Sequence, residues 1–387
     1  MMPSAPRPDR IVVKIGTSSL VSDGRVDPDK AAALVASVAE LVRIGYRPVL
    51  VASGAIALGN AAGTESRSLA AAIGQGPLYD ALRTRLAHYG LTAAQFLLTP
   101  IDLVDPRHRP GVAATLDHAL DSGVIPVVNE NDAVRVRNND ILAALISALL
   151  HARLLVLLTD VPGLYDGDPR VDPGARLIPE IKGMSVEVER LAGVTDRAGV
   201  PGSADGVQAG GLASVQAGDL AGILAGDLAG GSGTVGLGTG GMVTKLGAVW
   251  IATTAGVSAA IVGAREPNAL TRLLRGEPVG TVVHPRAALA DHDLEQLWRA
   301  FADPPTGTLT CRPDTRQLIA AVASIPCDAV VRTEGRFAEG DVVDLAVPGG
   351  EVLARGRTRH RHSSLGPGAG GETVVHPSEY VSFLEAS

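Results

Sequence analysis

The alternation of short β-branched segments with helical segments constrains the fold of this chain more than any other feature. RIVVKIG (10–16), RPVLVA (47–52) and AQFLLT (94–99) predict buried strands. The stretches between them carry helical periodicity, and Asp27-Pro28 predicts the first helix start, with Asp as N-cap and Pro in the first turn. Strands that alternate with helices are joined by right-handed crossovers. The pattern therefore predicts an α/β fold with an open, mostly parallel sheet sandwiched by helices.

The alternation continues to about residue 264. VIPVVNEND (124–132), LLVLLTD (154–160) and SAAIVGA (258–264) predict further strands, and helices are expected from the Asn/Asp cluster near 139 and from about Met242. Apolar residues make up 46% of the 387 residues and aromatic residues only 3%. The core must therefore consist of Ala, Val, Leu and Ile, which suits parallel strands covered by helices.

Polar residues collect where four of these strands end. The clusters are Gly16–Ser19, Ser53–Ala55, Asn129–Asp132 and Thr159–Asp160. Turn and cap chemistry could explain any one of them. Ligands of open α/β sheets bind at the carboxyl ends of the strands, so four clusters at one edge predict a ligand site.

The rest of the chain has a different character. Residues 209–232 contain three copies of an eight-residue Gly/Ala-rich unit, and 199–234 is interpreted as a low-complexity insertion that buries too little area to offset its ordering entropy. From about 280, short strands with Gly turns predict a small β domain. The predicted domains are 1–278 and 279–387. The basic segment ARGRTRHRH (354–362) is interpreted as a solvated strand end, with a polyanion contact as the alternative.

Charge and cysteine content narrow the class of protein. A net charge of −7 argues against bulk attraction to nucleic acid or anionic membrane. No apolar run reads as a signal peptide, and the most apolar stretch is interrupted by His151 and Arg153, so a cytoplasmic protein without membrane contact is expected. Cys311 and Cys327 lack metal-ligand spacing and are interpreted as core thiols.

The segment VGLGTGGMVTK (235–245) raises the question of phosphate binding. Its lysine follows the last glycine by four residues, so the segment is not a Walker loop, and alone it is a weak signal. VVKIGTSSL (12–20) places another lysine near the end of the first strand. LLTDVPGLYDGDPR (157–170) follows the fifth. Together these motifs resemble the amino-acid kinase superfamily, which implies this fold and a nucleotide site.

Four features narrow the resemblance. VASGAIALG (51–59), VVNENDAV (127–134), GTGGMVTK (238–245) and the C-terminal β domain, in that order, resemble the glutamate 5-kinase family with its PUA domain. The resemblance implies transfer of phosphate from ATP, with Mg²⁺, to the γ-carboxylate of L-glutamate, the first step of proline biosynthesis. It also implies a homo-oligomer in the cytoplasm, with glutamate-5-semialdehyde dehydrogenase as a partner.

The same resemblance assigns roles to residues. Lys14 and Lys245 would contact the phosphates, with Asp140 between them to orient both. Ser53, Asp132 and Asn139 would bind glutamate. The nucleotide would be held by Lys14 and by Thr159, Asp160, Thr239, Gly240, Gly241, Met242, Val243, Thr244 and Lys245. No metal ligand is assigned.

One departure from the family keeps alternatives open. The family has Asp-Asn-Asp where this chain has Asn138-Asn139-Asp140, so a related kinase with another carboxylate or phosphate acceptor is the second hypothesis. A degenerate kinase that binds RNA through its C-terminal domain, or acts as a regulatory protein, is the third and weakest. The presence of Lys14, Asp140 and Lys245 argues against degeneration.

Overall fold

The computed structural model describes residues 7–134, 138–167, 172, 174–191, 241–285, 292–365 and 371–384. The predicted insertion 199–234 and the loop residues Thr239 and Gly240 lie outside the described residues. The described residues divide into two compact units. The first contains those up to 191, 241–285 and 292–298, and the second contains those from Arg299 onward.

An eight-stranded sheet forms the centre of the first unit. The strands of this unit are β1 (Arg7–Ile15), β2 (Val21–Ser22), β3 (Arg25–Val26), β4 (Arg47–Ala52), β5 (Ala93–Leu98), β6 (Ile125–Glu130), β7 (Ala152–Thr159), β8 (Glu180–Ile181), β9 (Ser258–Gly263) and β10 (Thr281–Val283). The sheet order is β5-β6-β4-β1-β7-β9-β10-β8, and β2 and β3 pair separately. Only the β9–β10 pairing in this sheet is antiparallel. The predicted mostly parallel sheet is confirmed.

Ten helices precede the C-terminal sheet in the described part of the chain. They are α1 (Pro28–Arg43), α2 (Ala55–Asn60), α3 (Arg67–Ala87), α4 (Pro100–Val104), α5 (Arg109–Asp121), α6 (Asn139–Leu149), α7 (Val186–Leu191), α8 (Met242–Thr254), α9 (Ala269–Leu274) and α10 (Leu294–Phe301). The predicted cap of α1 is present, since the Asp27 carboxylate accepts from the N–H groups of Asp29 and Lys30. The core of the unit consists chiefly of Ala, Val, Leu and Ile side chains, as the composition requires.

Two short elements of this unit left no signal in the sequence. Helix α2 and strand β10 have six and three residues, too few for a period to show. Strand β10 also bears on the domain limit, because its residues bond to β9 and β8 in the first sheet. We therefore propose that the limit lies after β10 rather than at 278/279.

The second unit is built on a five-stranded sheet. Its elements are β11 (Gly307–Cys311), α11 (Thr315–Ala320), β12 (Ile325–Pro326), β13 (Val330–Gly335), β14 (Val342–Ala346), β15 (Val352–Arg357), β16 (Thr373–Val375) and β17 (Tyr380–Ser382). The sheet order is β13-β11-β14-β15-β17, and β12 pairs with β16. Cys311 and Cys327 are buried in its core, and burial raises the pKa of the Cys311 thiol to about 12. The predicted β domain and core thiols are confirmed.

The basic segment 354–362 is only in part the solvated strand end that its sequence suggested, since Arg359 and Arg361 are exposed but Arg355 is buried. Arg355 lies on β15 opposite Asp344 of β14, and the two form a buried ion pair with Nε 2.7 Å from Oδ1. Arg357 pairs with Asp303 and Arg359 with Glu379. The interpretation was wrong for Arg355 and Arg357, because the carboxylates that neutralise them are distant in sequence.

Candidate active site

Four neighbouring strands bring the predicted polar clusters to one edge of the sheet. In the order β6-β4-β1-β7, these strands end at Glu130, Ala52, Ile15 and Thr159. The chain leaves each of them through one of the four clusters. Backbone bonds tie adjacent exits together, from the Ser53 N–H to the Ile15 carbonyl (3.2 Å) and from the Gly16 N–H to the Leu158 carbonyl (3.2 Å). The four polar clusters therefore lie along one edge of the sheet in the first unit.

A buried group of three charged residues lies at this edge. Lys14 is the penultimate residue of β1, Asp140 is the second residue of α6, and Lys245 is the fourth residue of α8. Lys14 Nζ is 2.7 Å from Asp140 Oδ1, and Lys245 Nζ is 3.8 Å from Asp140 Oδ2. The Asp140 side chain is 0% exposed, and those of Lys14 and Lys245 are 7% and 9% exposed. The sequence assigned these three residues to one mechanism, and the structure brings them together.

Electrostatics keep the carboxylate of this group ionised. Burial raises the pKa of Asp140, but the charges of Lys14 and Lys245 and hydrogen bonds outweigh it, so its pKa lies below the usual value. Burial lowers the pKa of Lys245, and the charge of Asp140 opposes that shift. With both amines protonated, the three side chains carry a net charge of +1. A buried group with this charge favours an anion.

The start of α8 adds neutral donors beside the lysines. Thr244 Oγ1 lies 3.2 Å from Asp140 Oδ2 and 2.9 Å from the Gly241 carbonyl oxygen. Gly241 is the N-cap of this helix, and the amides of Met242 and Val243 belong to its first turn. First-turn amides have no carbonyl partner within the helix and favour phosphate oxygens. The described part of the predicted loop, 241–245, is therefore a helix start whose first-turn amides lie next to Lys245 in the chain, and its phosphate role stays a prediction.

A second, uncharged network lies on the other side of Asp140. Asn139 Nδ2 donates to Ser53 Oγ (3.1 Å) and Asn129 Oδ1 (2.9 Å), and its Oδ1 accepts from the Glu130 N–H (3.0 Å). Ser53 and Asn139, assigned to glutamate, are thus in contact. Asp132 is half-buried two residues beyond β6, and its N–H donates to the Glu130 carbonyl.

Two members of this network carried no assigned role from the sequence. Asn129 Nδ2 donates to Gln75 Oε1 at 2.7 Å, which links β6 to α3. The sequence feature that could have pointed to Gln75 is the glycine before it, Gly74. A Cβ on Gly74 would lie 1.9 Å from the Ala55 carbonyl oxygen, and one on Gly59 would lie 1.8 Å from the Ala70 carbonyl oxygen, so α2 and α3 approach closely because both residues lack a side chain. This contact places Gln75 beside the exit of β4.

The chain after β7 forms the remaining wall. The Thr159 hydroxyl donates to Asp160 Oδ1 (3.0 Å), and Asp160 is exposed. The charge of Asp160 acts on Lys245 and opposes the lowering of its pKa. Thr281 of β10 fixes the following loop, since its Oγ1 accepts from the Leu164 N–H (2.8 Å). Asp160 is therefore close enough to Lys245 to act on its charge, and the nucleotide roles of Thr159 and Asp160 stay predictions.

Asn138, where the sequence resemblance leads one to expect an aspartate, caps the helix that carries Asp140. Its side-chain Oδ1 accepts from the Asp140 N–H at 2.8 Å and caps α6. Asn and Asp are nearly equivalent as N-caps. The cap therefore keeps Asp140 in place although the family's carboxylate is absent here.

Comparison with known proteins agrees with this geometry. Residues 9–263 match the amino acid kinase family, and residues 315–374 match the PUA domain. The fold and the buried Lys-Asp-Lys group thus define a kinase of the amino acid kinase type, with an appended PUA domain.

Relatives that match this chain over most of their own length identify its family more closely. A glutamate 5-kinase of Geobacter sp. (strain M21) is 36% identical over 90% of this chain and 87% of its own length. That of Frankia casuarinae is 38% identical over 90% and 85%, and that of Shewanella amazonensis is 33% identical over 96% and 95%. The chain belongs to the glutamate 5-kinase family.

Proposed function

We propose that the chain transfers the γ-phosphoryl group of ATP to the γ-carboxylate of L-glutamate and forms L-glutamyl 5-phosphate, the first step of proline biosynthesis. The observation that carries the proposal is the buried group in which Lys14 and Lys245 flank the two carboxylate oxygens of Asp140. The relatives of this chain bear the name of that activity.

The chemistry needs no general base. A γ-carboxylate has a solution pKa near 4.3 and is ionised at neutral pH. One of its oxygens forms a bond to the γ-phosphorus while the bond to the β–γ bridging oxygen breaks, and ADP leaves with that electron pair. No proton is transferred, so catalysis consists of in-line placement and stabilisation of charge on the phosphoryl oxygens.

Each residue of the charged group then has a separate task. Lys14 and Lys245 place ammonium groups against the phosphoryl oxygens, where the water-poor surroundings strengthen the attraction. Asp140 keeps both ammonium groups near one point and is itself held by the Asn138 cap and the Thr244 hydroxyl. The first-turn amides of α8 contribute further donors.

The uncharged network suits the acceptor. Ser53 and Asn139 present a hydroxyl and an amide of fixed orientation beside Asp140. These groups would hold the carboxylate end of glutamate, and Asp132 would hold its ammonium group. Asn129 and Gln75 orient Asn139 from behind through the bonds described above.

Mg²⁺ fits this site as an ion carried by the nucleotide. Among the described residues, no group of three or more His, Cys, Asp or Glu side chains is arranged to hold a metal. Magnesium at kinase sites is held by substrate phosphates, water and one or two carboxylates, and the exposed Asp160 near Lys245 is a suitable carboxylate. When bound, the ion would neutralise charge on the phosphates.

The cellular setting completes the proposal. Acyl phosphates hydrolyse readily, which favours direct delivery of the product to a glutamate-5-semialdehyde dehydrogenase in the cytoplasm. A homo-oligomer is the assembly proposed. None of the described helices has the length and apolar character needed to cross a membrane.

Hydroxylamine trapping tests the reaction. The purified chain, incubated with ATP, Mg²⁺ and hydroxylamine, should form a hydroxamate with L-glutamate and little with L-aspartate or N-acetyl-L-glutamate. ADP release should match hydroxamate formation. Preference for either other acceptor would overturn the proposal in favour of a related kinase, and no acceptor-dependent ADP release would favour a degenerate kinase.

A further inference from the structure

An open cavity of about 650 Å³ lies in the second unit, and its lining residues all belong to that unit. Arg336, Phe337 and Glu339 line it from the segment after β13, and Arg361 and His362 line it from the turn after β15. Its volume falls in the range of small-molecule sites. The kinase reaction assigns it no role.

The arginines of this unit are distributed unevenly between ion pairs and the cavity. Nine arginines occur from residue 299 onward. Seven pair with carboxylates: Arg299, Arg312, Arg316, Arg332, Arg355, Arg357 and Arg359. Within the described part of the unit, Arg336 and Arg361 form no ion pair, and these two line the same cavity. The positive charge left unneutralised is thus concentrated at one place.

Two of the residues that line the cavity, Phe337 and His362, form a pair of contacting rings. The rings of Phe337 and His362 meet edge to face with centroids 5.4 Å apart. The backbone N–H of His362 also donates to the backbone carbonyl of Phe337 (3.0 Å). His362 Nε2 also shares a hydrogen bond with Thr333 Oγ1 at 3.1 Å. Phe337 is buried. Because this ring pair lines the same cavity as Arg336 and Arg361, the lining suits a ligand with both an anionic group and a planar group.

Two glycines fix the backbone that carries Arg336. Gly335 has φ +83°, and a Cβ there would lie 2.4 Å from the Thr306 carbonyl oxygen. A Cβ on Gly307 would lie 2.5 Å from the Phe337 ring, so that ring lies directly over a glycine. The segment that lines the cavity is therefore held by close contacts rather than by its own exposed side chains.

The geometry points to a binding site for a small phosphate monoester with a planar ring. A guanidinium group binds phosphate oxygens in a bidentate manner. Two arginines and Glu339 line the cavity and their charges sum to +1, which suits one phosphate group better than a triphosphate. An RNA strand fits less well, because Arg355, Arg357 and Arg359 of the basic segment are neutralised by Asp344, Asp303 and Glu379, which removes the extended positive surface that a backbone needs.

Calorimetric titration of the full chain with phenyl phosphate tests the site. A saturating non-hydrolysable ATP analogue occupies the kinase site in every titration. We expect Arg336→Ala and Arg361→Ala each to weaken phenyl phosphate binding by about tenfold or more, the scale of one charge-assisted contact. Arg332→Ala is the matched control, because Arg332 is an exposed arginine of β13, the strand that leads to Arg336, and it already pairs with Glu334. It should leave the dissociation constant within about twofold, since its charge is neutralised locally.

The affinities of related ligands separate the contribution of the phosphate group from that of the ring. Inorganic phosphate should bind more weakly than phenyl phosphate, and phenol should not bind detectably. Equal affinity in wild type, Arg336→Ala and Arg361→Ala would overturn the site. A single-stranded RNA that binds more tightly than phenyl phosphate, and that Arg332→Ala weakens as much as Arg336→Ala does, would replace it with an extended nucleic-acid surface. Thermal melting confirms that the variants are folded.

Discussion

Replacement of Asp140 by asparagine removes the charge that both active-site lysines face. At an effective dielectric constant of about 20, the attraction across 2.7 Å to Lys14 is about 6 kcal/mol, and across 3.8 Å to Lys245 it is about 4 kcal/mol. Part of each attraction offsets the cost of burying the charges. Loss of one partner from a buried ion pair lowers the free energy of unfolding by about 3–5 kcal/mol, and we expect the lower end here because asparagine keeps the shape and can still accept from Thr244.

Activity should fall further than stability alone would cause. Because Asp140 orients the ammonium groups when charge develops on the phosphoryl oxygens, we expect kcat to fall about a hundredfold or more, with a smaller change in the KM for ATP. A second readout is pH. The charge of Asp140 raises the pKa of Lys245, so its removal should move the alkaline limb of kcat/KM to lower pH. Steady-state kinetics between pH 6 and roughly 10 measure both.

Asn138→Asp is the matched control, since it alters a cap in the same turn without a contact to either lysine. We expect it to keep or raise kcat and to change the free energy of unfolding by less than about 0.5 kcal/mol. An Asp140→Asn enzyme with kcat within about threefold of wild type, and with an unmoved alkaline limb, would refute the orienting role.

Three further outcomes follow from the geometry. Asn139→Ala should raise the KM for glutamate about tenfold or more while the KM for ATP stays near its wild-type value, because its amide faces the acceptor side and removal of one hydrogen bond costs about 1–2 kcal/mol. Gly74→Ala should lower the free energy of unfolding by about 2 kcal/mol or more, since its Cβ would lie 1.9 Å from the Ala55 carbonyl oxygen. Its control, Gly111→Ala in α5, has open space and should be neutral or stabilise by up to about 1 kcal/mol; equal melting temperatures would contradict the packing argument. For the wild type, kcat/KM for ATP should fall as pH rises through a Lys245 pKa lowered from 10.5, and Lys245→Arg, if active, should lose that limb, because arginine stays protonated.

The sequence predicted the elements that positioned the site and missed the contacts that hold it. β1, β4, β6 and β7 were visible because each is a short apolar run followed by polar residues. Lys14, Asp140 and Lys245 are far apart in sequence, and only the family resemblance joined them. The structure adds the distances and the burial that give the group its chemistry.

Two of the missed features have the same physical cause, which is pairing between side chains that are distant in sequence. Gln75 and Asn129 act through side-chain bonds between α3 and β6, and a sequence pattern carries no information about such pairs. The basic segment was misinterpreted for the same reason, since the partner of Arg355 lies on a neighbouring strand. Strand β10 was missed because three residues are too few to show a period. Thr239 and Gly240 lie outside the described residues, so their assignment stays a prediction.

The turnover of Lys14→Ala and Lys245→Ala at saturating ATP and glutamate is the most direct test of the account. Each substitution removes one cation from the developing phosphoryl charge in a water-poor site. The account predicts that kcat of each variant falls about a hundredfold or more, while circular dichroism shows a folded protein. If either folded variant keeps more than about a third of the wild-type kcat, the buried Lys-Asp-Lys group is not the phosphoryl-transfer site.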